Sequence, residues 1–143
     1  MPETREGSLR RFFKQYAKAS LEGDTETVAA SHAPTYIESS PGAFAAWKVD
    51  AAYRQALEAR YARMHEDLGL EGIDIELGSI EEVAPLHYLV TANWKMAFAR
   101  GKSGRVTSAF PATYVVKVSG KPEILAHLSR ESEEAVMRRN GVI

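Results

Sequence analysis

The spacing of apolar residues changes for good near residue 70 of this chain, and that change restricts the folds open to it. Apart from the short stretch 35–49 they recur every three to four residues as far as Leu68; from Gly72 onward they alternate. The first period lays side chains along one face of a helix, the second along one face of a strand. A chain that makes helices first and long strands second packs those helices on one side of an antiparallel sheet, which is an α+β domain.

The first helix is expected from Leu9 to Leu21, capped by Ser8. Leu9, Phe12, Phe13, Tyr16 and Ala17 share a face, and Arg10, Lys14 and Lys18 form a wet stripe. Gly23 stops it, and Asp24 caps a short second helix from Thr25 to Ser31. Strands at Thr35–Ser39 and Ala43–Val49, joined by Pro41-Gly42, precede a third helix that Asp50 caps. That helix is expected to run from Ala51 to Leu68. Four strands follow: Gly72–Val83, Leu86–Arg100, Arg105–Val118 and Glu123–Leu128. A short helix capped by Ser129 ends the chain. In the second long strand Tyr88, Val90, Ala92, Trp94, Met96 and Phe98 share one face, while Thr91, Asn93 and Lys95 share the other. Strands this long twist and bend, so the sheet is expected to be concave, with an apolar lumen beneath the helices.

The 143 residues suit one domain spanning 1–143, with residues 1–7 flexible ahead of the first helix. No cysteine is present, which excludes thiolate catalysis, cysteine zinc sites and disulfides. The start of the chain has no apolar stretch behind a basic one, and no apolar run nears the ~20 residues of a membrane span, so a cytoplasmic protein is expected. A net charge of -1, with the signs mixed, gives no footprint for nucleic acid or for a membrane surface. His32, His65 and His87 lack partners at ligand spacing, so neither metal nor cofactor is expected. Gly101-Lys102-Ser103-Gly104 matches the end of a phosphate loop but joins two antiparallel strands, and it reads as a solvated turn.

Three stretches, FFKQYAKASLEGDTETVA, YIESSPGAFAAWKVDAAYRQALEARY and ATYVVKVSGKPEILAHLS, carry a likeness that covers Leu9 to Ser129. In order and spacing the chain resembles the nuclear transport factor 2-like superfamily, in its SnoaL-like and ketosteroid-isomerase-like branch. The resemblance implies a cone: three N-terminal helices packed on a strongly bent antiparallel sheet, plus a short C-terminal helix. It implies no single reaction, because the superfamily hosts isomerases, dehydratases, epoxide hydrolases, polyketide cyclases and plain binding modules.

In the isomerase design a tyrosine on the first helix and a protonated aspartic acid on a long strand donate to a dienolate oxygen. A second aspartate moves the proton. By resemblance Tyr16 takes the tyrosine's place, the base position falls on Ser39 and the second donor on Thr113. Neither of the last two is a carboxyl group. Glu38 neighbours Ser39 and is expected to face away from the lumen unless a bulge shifts the register. The final strand resembles a branch that ends in a histidine cluster followed by serine, of which His127 and Ser129 are present.

The expected lining is therefore Tyr16, Ile37, Ser39, Tyr53, Trp94, Met96, Phe98, Thr113 and His127. Tyr16 is either a core tyrosine or a donor to a ligand oxygen, and His127 is either structural or a mover of protons. Two functions stay open. One is a pocket protein for a small apolar molecule, with or without isomerase, cyclase or hydrolase chemistry. The other is a non-catalytic dimerisation or binding module. The resemblance implies a homodimer through the outer sheet face, where Ala112, Tyr114, Val116 and Val118 are expected to form an apolar strip.

Overall fold

The computed structural model describes residues 4–143. Helix α1 (Arg5–Glu22) starts earlier than expected, because Thr4 rather than Ser8 accepts the capping bond, from Gly7 N. Residues 5–7, expected to be flexible, are helical, and residues 1–3 lie outside the described residues. Gly23 ends the helix at φ 70°, a conformation that costs glycine nothing, and its N–H bonds Ala19 O. Asp24 then caps α2 (Thr25–Ala30) through Thr27 N.

Strands β1 (His32–Ser40) and β2 (Ala43–Lys48) form the small hairpin. Asp50 caps α3 (Ala51–Ala62), which continues as one π-helical turn over Arg63–Asp67 rather than as an unbroken α-helix to Leu68. There the His65 ring bridges Tyr61 O and Leu21 O, at 2.8 and 2.5 Å, and so ties the end of α3 to the end of α1. The long strands are β3 (Leu70–Ala84), β4 (His87–Gly101), β5 (Gly104–Ser119) and β6 (Lys121–Leu128). Helix α4 (Glu133–Arg139) is capped by Ser132, three residues later than expected.

One sheet holds all six strands in the order β2-β1-β6-β5-β4-β3. Among the described residues only the β1–β6 pair is parallel. That pairing folds the hairpin back beside the last strand, and helices and sheet together make the expected cone. Helix α1 lies across the concave face: Leu9, Phe13 and Ala17 pack on Val90, Trp94, Tyr114 and Val116. Helices α2 and α3 close a second cluster around Tyr36, Tyr53 and Leu57. A third cluster joins Met64, Leu68, Met96, Phe98, Met137 and Val142, and holds the C-terminal segment on the sheet.

The strip Ala112, Tyr114, Val116 and Val118, expected on the outer face, is buried on the inner one. It pairs across the sheet with Ala92, Val90 and Tyr88. Directly paired residues share a face, so the two strips point inward together beneath α1.

Candidate functional site

A cavity of about 450 Å³ opens between α1, α3, the inner faces of β3 to β6, and α4. Its buried end is made by Trp94, Met96, Tyr114 and Ser108, with Tyr16, Ile73 and Phe110 beside them. Its exposed end is charged: Arg60, Arg130, Glu131, Glu133 and Arg139 border it there.

Of the residues expected in the lining, Tyr16, Trp94, Met96 and His127 border the cavity; Ile37, Ser39, Tyr53, Phe98 and Thr113 do not. The causes are local. Tyr36 is buried against the α3 cluster, so alternation turns Tyr36 and Glu38 inward and Ile37 and Ser39 outward. Tyr53 packs behind the wall, where its hydroxyl accepts from Tyr36 at 2.9 Å. Phe98 is sealed beneath Met64 and Met137. Thr113 pairs with Thr91 and Leu128 on the face opposite Tyr114.

Tyr16 stands edge-on to His32, Trp94 and Tyr114, with ring centroids 5.7, 5.8 and 6.4 Å away. Among the described residues nothing hydrogen-bonds its hydroxyl, which leaves its donor unused. Burial pushes its phenol well above the ordinary value, and the neighbouring Tyr114 adds to this, so it stays protonated at neutral pH. The Trp94 indole donates to the Tyr114 hydroxyl at 2.9 Å. That fills one lone pair of Tyr114 and leaves its own hydrogen to be given away. Burial raises the Tyr114 phenol as well.

His127 stacks on Tyr114, centroids 4.8 Å apart and planes 21° from parallel. Its inward aim depends on an irregularity in β6, where the pairing with β5 shifts between Ile124 and Ala126. Across the parallel pair its partner is Glu38, whose Oε1 lies 3.8 Å from Nδ1. The Trp47 indole holds the other carboxylate oxygen at 2.7 Å. Burial works to raise the Glu38 carboxyl; the His127 and Trp47 contacts outweigh it and hold the group below the ordinary carboxylate range. The Nε2 atom of His127 is buried with no partner among the described residues.

At the exposed end Arg60 makes a two-bond ion pair with Glu133, and Arg139 an ion pair with Glu131 through one hydrogen bond. Arg60 is packed by protein yet keeps accessible surface, because it borders the cavity. Burial opposes its charge, and Glu133 more than offsets that. No group of three or more histidine or carboxylate side chains among the described residues is placed to hold a metal ion. No helix among them is long and apolar enough to cross a membrane.

Sequence reasoning missed Tyr114, Glu38 and the arginines. The uniform apolar parity of Ala112, Tyr114, Val116 and Val118 against Thr113 and Lys117 was a usable signal for Tyr114. The shared parity of Glu38 with Tyr36 was one for Glu38. Arg60 and the α4 residues carry no such signal, since only the closure of the cone brings them together.

No family model and no curated protein matches the sequence. Solved structures do. An NTF-2 like protein of unknown function from Shewanella oneidensis is 16% identical, with a TM-score of 0.67 over 90% of this chain and 100% of that one. A ketosteroid isomerase-like protein from Erwinia carotovora atroseptica is 13% identical, at 0.63 over 86% and 92%. The beta subunit of a benzoate 1,2-dioxygenase from Burkholderia mallei is 13% identical, at 0.65 over 94% and 95%. With the helices, the bent six-stranded sheet and the C-terminal helix already described, these likenesses make the fold nuclear transport factor 2-like.

Proposed function

We propose that this chain is a small-molecule pocket protein whose cavity takes a largely apolar compound bearing an oxygen. The observation that carries the reading is a cavity of about 450 Å³ beside a Tyr16 hydroxyl with no partner among the described residues. Pockets of this size with few convergent polar groups are the usual form of a ligand site. Tyr16 and Tyr114 would both donate to the ligand oxygen from an apolar wall. If a reaction follows, it is a proton transfer: His127 moves the proton and Glu38 orients the ring. Two neutral phenols beside a histidine and a carboxylate suit isomerase, cyclase or hydrolase chemistry at a carbonyl compound.

Prodan, a neutral naphthyl ketone whose emission shifts to the blue in apolar surroundings, tests the pocket. It should bind and quench tryptophan emission. Tyr16→Phe should weaken binding by roughly fivefold, the worth of about one hydrogen bond, with little change in melting temperature. Binding that survives a cavity-filling Ile73→Trp would count against the pocket.

A second reading, assembly, rests on a different observation. Phe44 is 68% exposed, and it pairs with Ser39, which pairs in turn with Leu128 on the same outer face. A homodimer across that face would cover them. A light-scattering mass near 15.8 kDa, that of one chain, refutes the dimer.

A further inference from the structure

The two ends of the cavity differ in kind. Its buried end is aromatic and apolar, while its exposed end holds more hydrogen-bond donors than acceptors. Arg60 gives Nε and Nη2 to Glu133, at 3.3 and 2.9 Å. Arg139 gives Nε to Glu131 at 3.3 Å, and its Nη2 lies 3.0 Å from the other carboxylate oxygen. A guanidinium carries five N–H donors in a fixed fork, so each of these arginines keeps an unused edge at Nη1. Both glutamates are already engaged. Arg130 borders the same cavity and has neither an ion pair nor a hydrogen bond among the described residues. The mouth thus sets three guanidiniums against two carboxylates. Glu38 does not redress this: it lies outside the lining, beside His127, with one oxygen taken by Trp47.

A neutral ligand would fill the buried end and leave these donors to solvent. A flat oxyanion satisfies several at once, and guanidinium geometry matches it. We propose that the ligand is an amphipathic acid. Its aromatic or aliphatic body lies on Trp94, Phe110 and Tyr114, and its carboxylate-type oxyanion is held by Arg130 with the free edges of Arg60 and Arg139. This rests on the pocket reading and adds the substrate class to it.

The test compares two probes with the same aromatic body, anilinonaphthalene sulfonate and its uncharged counterpart phenylnaphthylamine. Each is titrated into the wild type, Arg130→Gln and Ile73→Trp, with Phe110→Trp as a second cavity-filling variant if Ile73→Trp does not fold. The sulfonate should bind roughly fivefold more tightly, a modest gain because Arg130 is exposed, and the gap should narrow as salt rises. Arg130→Gln should bring the sulfonate down to the level of the neutral probe, whose own affinity changes far less. The filling variant should remove both.

If the neutral probe fails to bind, or both probes bind the filled protein unchanged, the pocket reading itself is overturned. Should the neutral probe bind and be displaced by filling, while the sulfonate is no tighter or Arg130→Gln leaves it unaffected, the acid inference alone falls.

Discussion

Stability should fall as the pH drops from about 7.5 to about 5, and His32 should account for about 2 kcal/mol of that loss. The imidazole is only 6% exposed. It stacks on Tyr36 at 4.1 Å, backs the Tyr16 ring, and its Nδ1–H donates to Val28 O at 2.8 Å. Burial is the main cause of its low affinity for a second proton and pushes its pKa down to about 4. In the unfolded chain the ordinary value is about 6.5. Above that value the ring is neutral in both states and stability is unaffected. Between the two values the unfolded chain takes a proton that the folded one refuses, so stability falls with pH by about 1.4 kcal/mol per unit. Near pH 4 the folded ring charges too, and the loss levels off at about 3 kcal/mol.

Glu38 acts in a separate window. Its carboxyl is held below the ordinary value, so its contribution is complete above about 4.5 and is lost only as pH falls further. Urea unfolding of the wild type and His32→Phe at several pH values isolates the histidine, because every other titrating group is common to both. His32→Phe forfeits the Val28 bond and starts less stable, yet its stability should vary less between pH 7.5 and 5. Parallel curves, or a His32 ring that titrates near 6.5 in the folded protein by NMR, would refute the reasoning.

Two further predictions concern what holds the cone open. Phe13 is fully buried beneath α1, in ring contact with Phe12 and Tyr114 at 5.1 Å, so Phe13→Ala should cost about 3–5 kcal/mol in chemical denaturation. A loss under about 1 kcal/mol would mean that α1 is not anchored there. Gly101 has no room for a Cβ: one would meet the Val106 side chain and come within 2.8 Å of Gly104 O. Gly101→Ala should therefore destabilise by about 1–3 kcal/mol and loosen the C-terminal segment, whose Gly141 O accepts from Lys102 N. Unchanged hydrogen exchange at Lys102 N would contradict it.

The amino-acid sequence determined the element order and the inward face of β4. The change of apolar period separates helices from strands, and the alternation through Trp94, Met96 and Phe98 needs no partner to be read. Asp24 and Asp50 mark helix starts because capping is a bond to residues three places on. Tertiary structure decided the rest. The inward turn of Glu38 follows from Tyr36 meeting Tyr53 across seventeen residues. The aim of His127 depends on a register shift that alternation along β6 does not announce. Arg60 and Glu133 are seventy-three residues apart, and only the closure of the cone puts them at one mouth. Periodicity and capping are local and survive in one dimension. A cavity is the space left between elements, and its walls exist only once those elements have packed.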